Sequence, residues 1–350
     1  MQLEFNSEEE RLKYLCDGIN NYESQIEKEQ KEKDCQQGLF VVRPVNDWIE
    51  QAKNKPIPNR LFDDFFFEGE ACCLFASSNV GKSILSVQIG NSVSKGVAIK
   101  GFKLTAQSQV VLYFDFELSA KQFENRYSEN YTNHYIFSDS FLRVEINPDN
   151  LPDGKSFEDS LNESLELSIN ATGAKVLIID NLTYLKNDTE KAKDALTLMK
   201  HLKALKSRHG LSILVLAHTP KRDISKPLSI NDLAGSSMLG NFFDSAFTIG
   251  ASAKDKSLRY IKQIKVRETE KRYDSDNIIT CQIAKYSNFV EFEFLDFGTE
   301  REHLKEVSEK DKSENKELGR TLKEQGISNV EIARRCGVSE GAVRKWLKKE

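Results

Sequence analysis

The fold is decided by the stretch Ala71-Cys72-Cys73-Leu74-Phe75-Ala76-Ser77-Ser78-Asn79-Val80-Gly81-Lys82-Ser83. Its first six residues are apolar, which predicts a buried strand, and a helical pattern begins at Ile84. Small residues between a strand and a helix let backbone N–H groups converge on a phosphate at the positive end of the helix dipole. The stretch therefore predicts a Walker A phosphate loop in its proper context.

Each residue of this loop has an expected role in binding ATP and Mg²⁺. Lys82 would reach the β and γ oxygens, and the Ser83 hydroxyl would hold the metal. Ala76 stands where the strict pattern has glycine, which a backbone with negative φ accepts. The predicted nucleotide-binding residues are Ala76, Ser77, Ser78, Asn79, Val80, Gly81, Lys82, Ser83 and Ile84.

Two other apolar runs end in carboxylates. The run Val176–Ile179 leads to Asp180, which we expect in the Mg²⁺ shell as the Walker B acid. Asn181 follows it instead of a glutamate, so the general base must come from elsewhere.

The run Val110–Phe116 delivers Glu117, and a carboxylate at the C-terminal end of a parallel strand faces the ligand crevice. Glu117 is thus the predicted base that polarises the attacking water. Asp115 is a nearby alternative, and a surface ion pair of Glu117 with a cation such as Arg126 is the structural alternative.

Composition limits the other classes of function. The chain has 350 residues, 39% of them hydrophobic, and a net charge of only −4, so any DNA binding must be local. Its six cysteines lack metal-binding spacing and predict reduced thiols in the cytoplasm. Neither a signal peptide nor the roughly 20 apolar residues of a membrane span are recognised, so we expect no membrane contact.

The fold class predicted is α/β, with a mainly parallel sheet, helices on both faces and an antiparallel C-terminal extension. The extension comes from three consecutive strand patterns, at Leu258–Val266, Ile278–Ala284 and Phe289–Phe294. A polar, charge-rich stretch then predicts a flexible linker. The expected divisions are an N-terminal helix and linker over 1–60, an ATPase domain over 61–296, the linker over 297–317 and a DNA-binding module over 318–350.

An amphipathic helix is predicted from Ser7 to Ile26, where apolar residues recur at steps of three and four. Its narrow apolar seam fits an arm that packs on a neighbouring subunit. Docking on the core of its own chain fits the spacing equally well.

The chain resembles the RecA-like ATPases, and within them the RepA-like hexameric helicases of mobile elements. The resemblance rests on Lys82 in the loop, Glu117 at the end of the next strand and Asp180 without an adjacent glutamate, and it covers about Leu61 to Phe294. It implies self-association into a ring, expected to be a hexamer.

The same resemblance implies roles for three further positions. His218, at the end of the strand Ile213–Ala217, would sense the γ-phosphate. Lys265 and Arg267 would enter the ATP site of the adjacent subunit and stabilise charge on the transferring phosphoryl group. A solvated edge strand is the alternative for the two cations.

Two segments are expected to bind DNA. In RecA-like helicases the loop after the His218 strand grips single-stranded DNA in the central channel, which points to Lys221, Arg222 and Lys226, although an ordinary surface loop fits nearly as well. The C-terminal segment resembles homeodomain-like helix-turn-helix modules, which read double-stranded DNA in the major groove. Its predicted DNA contacts are Ser339, Arg344, Lys345 and Lys348. Such folds also bind proteins.

The leading expectation is a DNA helicase or translocase that serves the replication or transfer of a plasmid or transposable element. The alternatives are an ATP-switched DNA-binding regulator and a recombinase-like filament former. Lys265 and Arg267 favour assemblies over a monomeric switch but do not separate a ring from a filament.

Overall fold

The computed structural model describes residues 35–37, 40–147, 157–181, 191–220, 222–233, 240–306, 309–336, 338 and 340–347. The chain divides into two compact units, Met1–Ile57 and Pro58–Glu350. The boundary falls within the Pro56–Pro58 segment. The predicted helix Ser7–Ile26 lies outside the described residues.

The described residues of the first unit form a hairpin and one helix. Strands β1 (Cys35–Gln37) and β2 (Phe40–Val42) pair antiparallel, and helix α1 spans Val45–Lys53. The guanidinium of Arg43 lies 4.7 Å from the centre of the Trp48 ring.

In the described part of the second unit, strands are interspersed with helices up to β11, consecutive strands follow, and helices come last. Its strands are β3 (Arg60–Phe62), β4 (Phe66–Phe67), β5 (Ala71–Ala76), β6 (Val111–Asp115), β7 (Ser128–Glu129), β8 (Asn133–His134), β9 (Phe141–Val144), β10 (Val176–Asp180), β11 (Ser212–His218), β12 (Ser245–Ala251), β13 (Leu258–Lys265), β14 (Ile278–Tyr286) and β15 (Phe289–Gly298). Its helices are α2 (Lys82–Lys95), α3 (Ala120–Arg126), α4 (Phe157–Thr172), α5 (Lys191–His209), α6 (Glu309–Glu324), α7 (Asn329–Cys336) and α8 (Glu340–Leu347).

A nine-stranded sheet organises the second unit, in the order β15-β14-β13-β12-β5-β11-β10-β6-β9. The strands from β12 to β9 pair in parallel, whereas β13, β14 and β15 add to β12 antiparallel. The α/β prediction with an antiparallel extension is therefore confirmed. Strand β11 lies between the loop strand β5 and the acid-bearing β10, so the crevice beyond their C-terminal ends receives side chains from all three.

The two faces of the sheet follow the period of two expected of a strand covered on both sides. Leu74, Ile178 and Leu216 belong to the cluster on one face, whereas Cys73 and Leu177 belong to the cluster on the other. All six residues of β5 are buried. This continuous burial explains why the apolar runs identify the central strands from the sequence.

Two strands of the sheet lack a clear sequence pattern. All four residues of edge strand β9 are only partly buried, and Arg143 interrupts its apolar run. Strand β12 contains Ser245, Thr248 and Gly250. A Cβ at Gly250 would lie 2.0 Å from the Tyr260 ring, so this glycine makes room for an aromatic side chain of the neighbouring strand.

The polar stretch 297–317, expected to be a flexible linker, contains regular structure. Strand β15 extends to Gly298, a 3-10 helix spans Glu300–His303, and α6 begins at Glu309. Glu300 is fully buried and forms an ion pair with Lys262 at 2.5 Å. A count of apolar residues misses this order because a distant lysine compensates the buried charge.

No helix within the described residues combines the length and apolar character needed to cross a membrane.

Candidate nucleotide site

The loop between β5 and α2 has the geometry of a phosphate cradle. Asn79 and Gly81 have positive φ values of 62° and 103°. No side chain caps the N-terminus of α2, which leaves backbone N–H groups free for an anion. A Cβ at Gly81 would lie 2.7 Å from Ile283 and 2.8 Å from Phe292, so only glycine fits there.

The ammonium of Lys82 lies at the centre of this loop. It donates to the carbonyl oxygens of Ala76 and Ser77 at 2.9 and 3.1 Å and lies 3.2 Å from Nδ1 of His218. Burial lowers the pKa of Lys82, while the carboxylates of Asp180 and Glu117 oppose that shift. The lysine is thus poised beside two acids in a partly dry site.

A cavity of about 430 Å³ opens above the loop. It joins the phosphate cradle to side chains from β11, α3, β14 and the turn after β6. The lining residues are Ser78, Asn79, Gly81, Lys82, Ser83, Ile84, Glu117, Arg126, His218 and Ile283. Glu117 and His218, predicted from different parts of the chain, therefore meet Lys82 in one cavity.

Asp180 has the properties of a metal-binding acid. It is buried, its Oδ2 accepts a 2.7 Å hydrogen bond from the Tyr113 hydroxyl, and its Oδ1 has no hydrogen-bond partner. Burial raises the pKa of Asp180 to about 6, and the nearby Ser83 hydroxyl counteracts part of this shift. An orphaned carboxylate oxygen beside the loop serine fits Mg²⁺, which prefers oxygen ligands and is bound by this pair of groups in P-loop proteins.

Glu117 is held by polar side chains at the C-terminal ends of two other strands. Its Oε1 accepts a hydrogen bond from the amide of Asn181 and lies 3.3 Å from Nε2 of His218. Hydrogen bonding from His218 lowers the pKa of Glu117, and burial partly opposes the shift. Glu117 is therefore ionised near neutral pH, as a base must be.

The contacts of His218 constrain where its proton lies. An ammonium has no lone pair, so Nδ1 must be the acceptor in the contact with Lys82, and the proton of a neutral imidazole lies on Nε2, facing Glu117. Asn181 Nδ2 lies 2.9 Å from Nε2. When Nε2 carries the proton, both nitrogens are donors, so this approach is a close contact and not a hydrogen bond. His218 thus connects the loop lysine to the candidate base.

Asp115, the alternative base, has a structural role. Its Oδ1 accepts the backbone N–H groups of Glu117 and Leu118, and its Oδ2 accepts Nε of Arg143. Its side chain is fully buried. A fully buried carboxylate that does not line the nucleotide cavity is not placed to activate a water molecule there.

Arg126 lines the same cavity, and the sequence offered it only as an ion-pair partner of Glu117. Its Nη1 is buried without a hydrogen-bond partner, and its charge helps to lower the pKa of Glu117. A cation with an unused donor beside a phosphate cradle suits an anionic ligand. Its position at the end of α3, far along the chain from the loop, gave no sequence signal.

A protein-family model described as "AAA domain" (AAA_25) matches residues 41–223, slightly more than half of the chain. The chain belongs to this family. The matched segment of the AAA domain contains the loop, Glu117, Asp180 and His218. No curated protein matches the chain. A KaiC-like protein from Pyrococcus horikoshii OT3 is structurally similar, at 14% identity and a TM-score of 0.45, over 65% of this chain and 91% of that chain.

Lys265 and Arg267 lie beyond the matched AAA domain segment and away from its loop. Lys265 pairs in register with Ala246, and Ala246 pairs with Cys73, near the N-terminal end of the loop strand. The Lys265 ammonium donates to the carbonyl oxygens of Gly240 and Phe243 at 2.9 and 2.7 Å. The two cations are therefore not brought to the nucleotide cavity of their own chain.

Arg267 is the more accessible of these cations. Its Nη1 lies 3.0 Å from Asp244, and its side chain is 51% exposed. An exposed arginine in a single ion pair can exchange that partner at little cost.

The loop that follows strand β11 is anchored at both ends. Thr219 N donates to Ala76 O at 3.0 Å, and Lys262 together with Glu300 binds both backbone groups of Leu228. This arrangement ties the loop directly to the phosphate cradle at one end and to β13 at the other.

The predicted DNA contacts of this loop differ in their surroundings. Arg222 forms an ion pair with Asp232 at 3.2 Å and is largely buried, so a phosphate contact would require that pair to open. Lys226 is about half exposed. Lys221 lies outside the described residues.

The three C-terminal helices of the protein, α6, α7 and α8, pack on one another. Their apolar cluster includes Ile332, Cys336, Val343 and Trp346. Helix α7 ends at Cys336 and α8 begins at Glu340.

Two predicted DNA contacts of this module can be placed. Arg344 and Lys345 are exposed on α8, and Arg344 forms an ion pair with Glu340 at 2.8 Å. Ser339 and Lys348 lie outside the described residues.

Proposed function

We propose that this AAA domain protein is an ATP-dependent DNA helicase or translocase of the RepA-like type. It would act in the replication or mobilisation of a plasmid or transposable element. The observation that carries the proposal is the contact chain from Lys82 through His218 to Glu117, at the point where the chain enters the loop after β11. A site that joins a candidate hydrolytic base to a loop proposed to bind DNA suits a motor.

In the hydrolysis step, Glu117 accepts a proton from the water that attacks the γ-phosphorus of ATP. Lys82 and Arg126 stabilise the charge that develops on the phosphoryl oxygens. Ser83 and Asp180 would hold Mg²⁺, which neutralises the phosphate oxygens when it is bound.

His218 carries the result of hydrolysis to the loop. It contacts both Lys82 and Glu117, and the next residue, Thr219, is hydrogen-bonded to Ala76 at the start of the cradle. Loss of the γ-phosphate changes the charge that faces Lys82 and Glu117. The His218 imidazole then changes its position, and the backbone that begins at Thr219 moves with it.

Assembly of several subunits would bring Lys265 and Arg267 to a nucleotide. Lys265 and Arg267 lie away from the cavity of their own chain, so they can serve a nucleotide only in a neighbouring subunit. A ring, proposed to be a hexamer, gives each nucleotide one such neighbour. Arg267 would exchange Asp244 for the phosphoryl group.

DNA contacts are proposed at two places. Lys221, Arg222 and Lys226 would grip one strand in the channel of the ring. The C-terminal helices would bring the ring to a duplex site through Arg344 and Lys345.

One observation favours a second candidate, an ATP-switched DNA-binding regulator without motor activity. Arg222 is held inside the protein by Asp232. Only Lys226 among the described loop cations is substantially exposed, which is a weak grip for a moving strand.

The deciding experiment is ATP-dependent displacement of a strand from a forked duplex, with ATP turnover followed with and without single-stranded DNA. The wild-type chain should unwind, and Lys82→Ala and Glu117→Gln should each abolish unwinding and turnover. Turnover without unwinding and without stimulation by single strands would select the regulator. Unimpaired turnover in both variants would refute the site itself.

The duplex-binding proposal is tested separately by footprinting. Arg344→Ala with Lys345→Ala should remove site preference while ATP turnover stays intact. Lys323→Ala is a matched control, since it removes an exposed cation from α6. An unchanged footprint in the double variant would refute the DNA-reading role of α8.

A further inference from the structure

The candidate base sits in a short turn whose geometry is imposed by hydrogen bonds. Strand β6 ends at Asp115, and the chain reaches α3 within five residues. The N–H groups of Glu117 and Leu118 both donate to Oδ1 of Asp115, at 3.2 and 2.9 Å. The Asp115 side chain therefore bends the backbone so that Glu117 projects into the nucleotide cavity.

The guanidinium of one arginine from a neighbouring strand is hydrogen-bonded to both ends of this turn. Arg143, on edge strand β9, donates from Nε to Oδ2 of Asp115 at 2.9 Å and from Nη2 to the Leu118 carbonyl at 2.6 Å. It therefore holds the first and the last residue of the turn, with Glu117 between them. Its planar guanidinium presents several donors in a rigid fork, which suits two acceptors held at fixed positions.

Arg143 is itself held in one orientation. It pairs in register with Tyr113 of β6, and its guanidinium lies 4.7 Å from the centre of the Phe123 ring on α3. Glu145 forms an ion pair with it only on the exposed side, where solvent screens the contact and it contributes little to this orientation. Its side chain is only 20% exposed, so solvent competes little for these bonds.

We propose that Arg143 is a positioning residue for ATP hydrolysis, which acts through Asp115 to set the place of the Glu117 carboxylate. The inference rests on the proposed function, because it takes Glu117 as the base. Arg143 does not line the nucleotide cavity and is not expected to contact ATP. Its loss should therefore slow the chemical step and leave nucleotide binding unchanged.

The test is steady-state ATP turnover of the full chain with Arg143→Gln. We expect kcat to fall roughly 10- to 100-fold, as follows from a displacement of about 1 Å of a catalytic group. KM for ATP and the affinity for a fluorescent ATP analogue should stay within about twofold, because the phosphate cradle is untouched. Arg143→Lys keeps the positive charge but lacks the planar guanidinium that reaches both Asp115 and Leu118. It should recover part of kcat.

Two further variants exclude a general loss of structure. Glu145→Gln removes the other carboxylate partner of Arg143 without touching the turn, and should keep wild-type turnover. Arg143→Gln combined with Asp115→Asn leaves no uncompensated buried charge, so it should fold and still show the low kcat. Melting temperatures measured in parallel identify the folded variants.

The outcomes separate the inference from the function on which it rests. A folded Arg143→Gln variant with wild-type kcat overturns the positioning role, and so does an equal loss of binding and turnover. If Glu117→Gln loses turnover while Arg143→Gln does not, only the positioning role fails. If Glu117→Gln retains turnover, the base assignment fails first.

Discussion

Glu70, at the start of the loop strand, should make the stability of the protein depend on pH. It is 3% exposed, and its Oε2 accepts hydrogen bonds from the Ser245 hydroxyl at 2.8 Å and from Phe67 N at 3.2 Å. Its Oε1 is buried without a partner. Burial, reinforced by the charge of Asp244, raises the pKa of Glu70 to about 7.

The sign and size of the effect follow from this shift. The reference value is 4.5, so between pH 4.5 and 7 the folded state holds a proton that the unfolded state releases. Stability contributed by this group is present below pH 4.5 and is lost as the pH rises to 7. The shift of about 2.5 units corresponds to at most about 3 kcal/mol.

Glu70→Gln keeps the Oε2 acceptor and removes the charge. We expect the free energy of unfolding at pH 8 to rise by about 1 to 3 kcal/mol over the wild type, with much less difference at pH 5. Urea unfolding followed by far-UV circular dichroism at both values measures it. Glu270→Gln, on the surface, is the control. Equal dependence on pH in the wild type and Glu70→Gln would refute the reasoning.

Three other perturbations have defined outcomes. Lys262→Met should lower the free energy of unfolding by about 3 to 5 kcal/mol, because it strands the buried Glu300 carboxylate, and adding Glu300→Leu should recover part of the loss in urea titrations; a double variant weaker than the single one would contradict this. Gly319→Ala places a Cβ 3.1 Å from the Trp346 ring and should destabilise the C-terminal helices by about 1 kcal/mol, seen as faster proteolysis there and not in the sheet. Asp180→Asn should weaken Mg²⁺-dependent ATP binding at least about tenfold while metal-free binding survives, and calorimetry showing equal affinities with Mg²⁺ would exclude Asp180 from the metal site.

The fold and the core of the site were predictable because their signals are local. A buried parallel strand must be apolar along its whole length, so β5, β6, β10 and β11 are visible as runs. The C-terminal ends of such strands meet at one edge of the sheet. Glu117 and Asp180 could therefore be expected near Lys82, and the resemblance to RecA-like ATPases added His218.

Other features depend on pairs of residues that are distant in sequence. Arg143 meets Asp115 only because edge strand β9 joins the sheet beside β6, and nothing in its partly polar sequence indicates that strand. Glu300 lies in a stretch whose composition predicts disorder, yet Lys262 compensates its charge from another strand.

The sequence by itself determined the class of fold, the phosphate loop and the acids at the strand ends, because periodicity and strand termini are properties of a few consecutive residues. Only the tertiary structure decided that Asp115 is a structural acid, that Arg126 faces the nucleotide cavity, and that Lys265 lies away from it. Those assignments depend on which side chains meet across the sheet. Hydrogen bonds and ion pairs act over a few ångströms in space, whatever the separation along the chain.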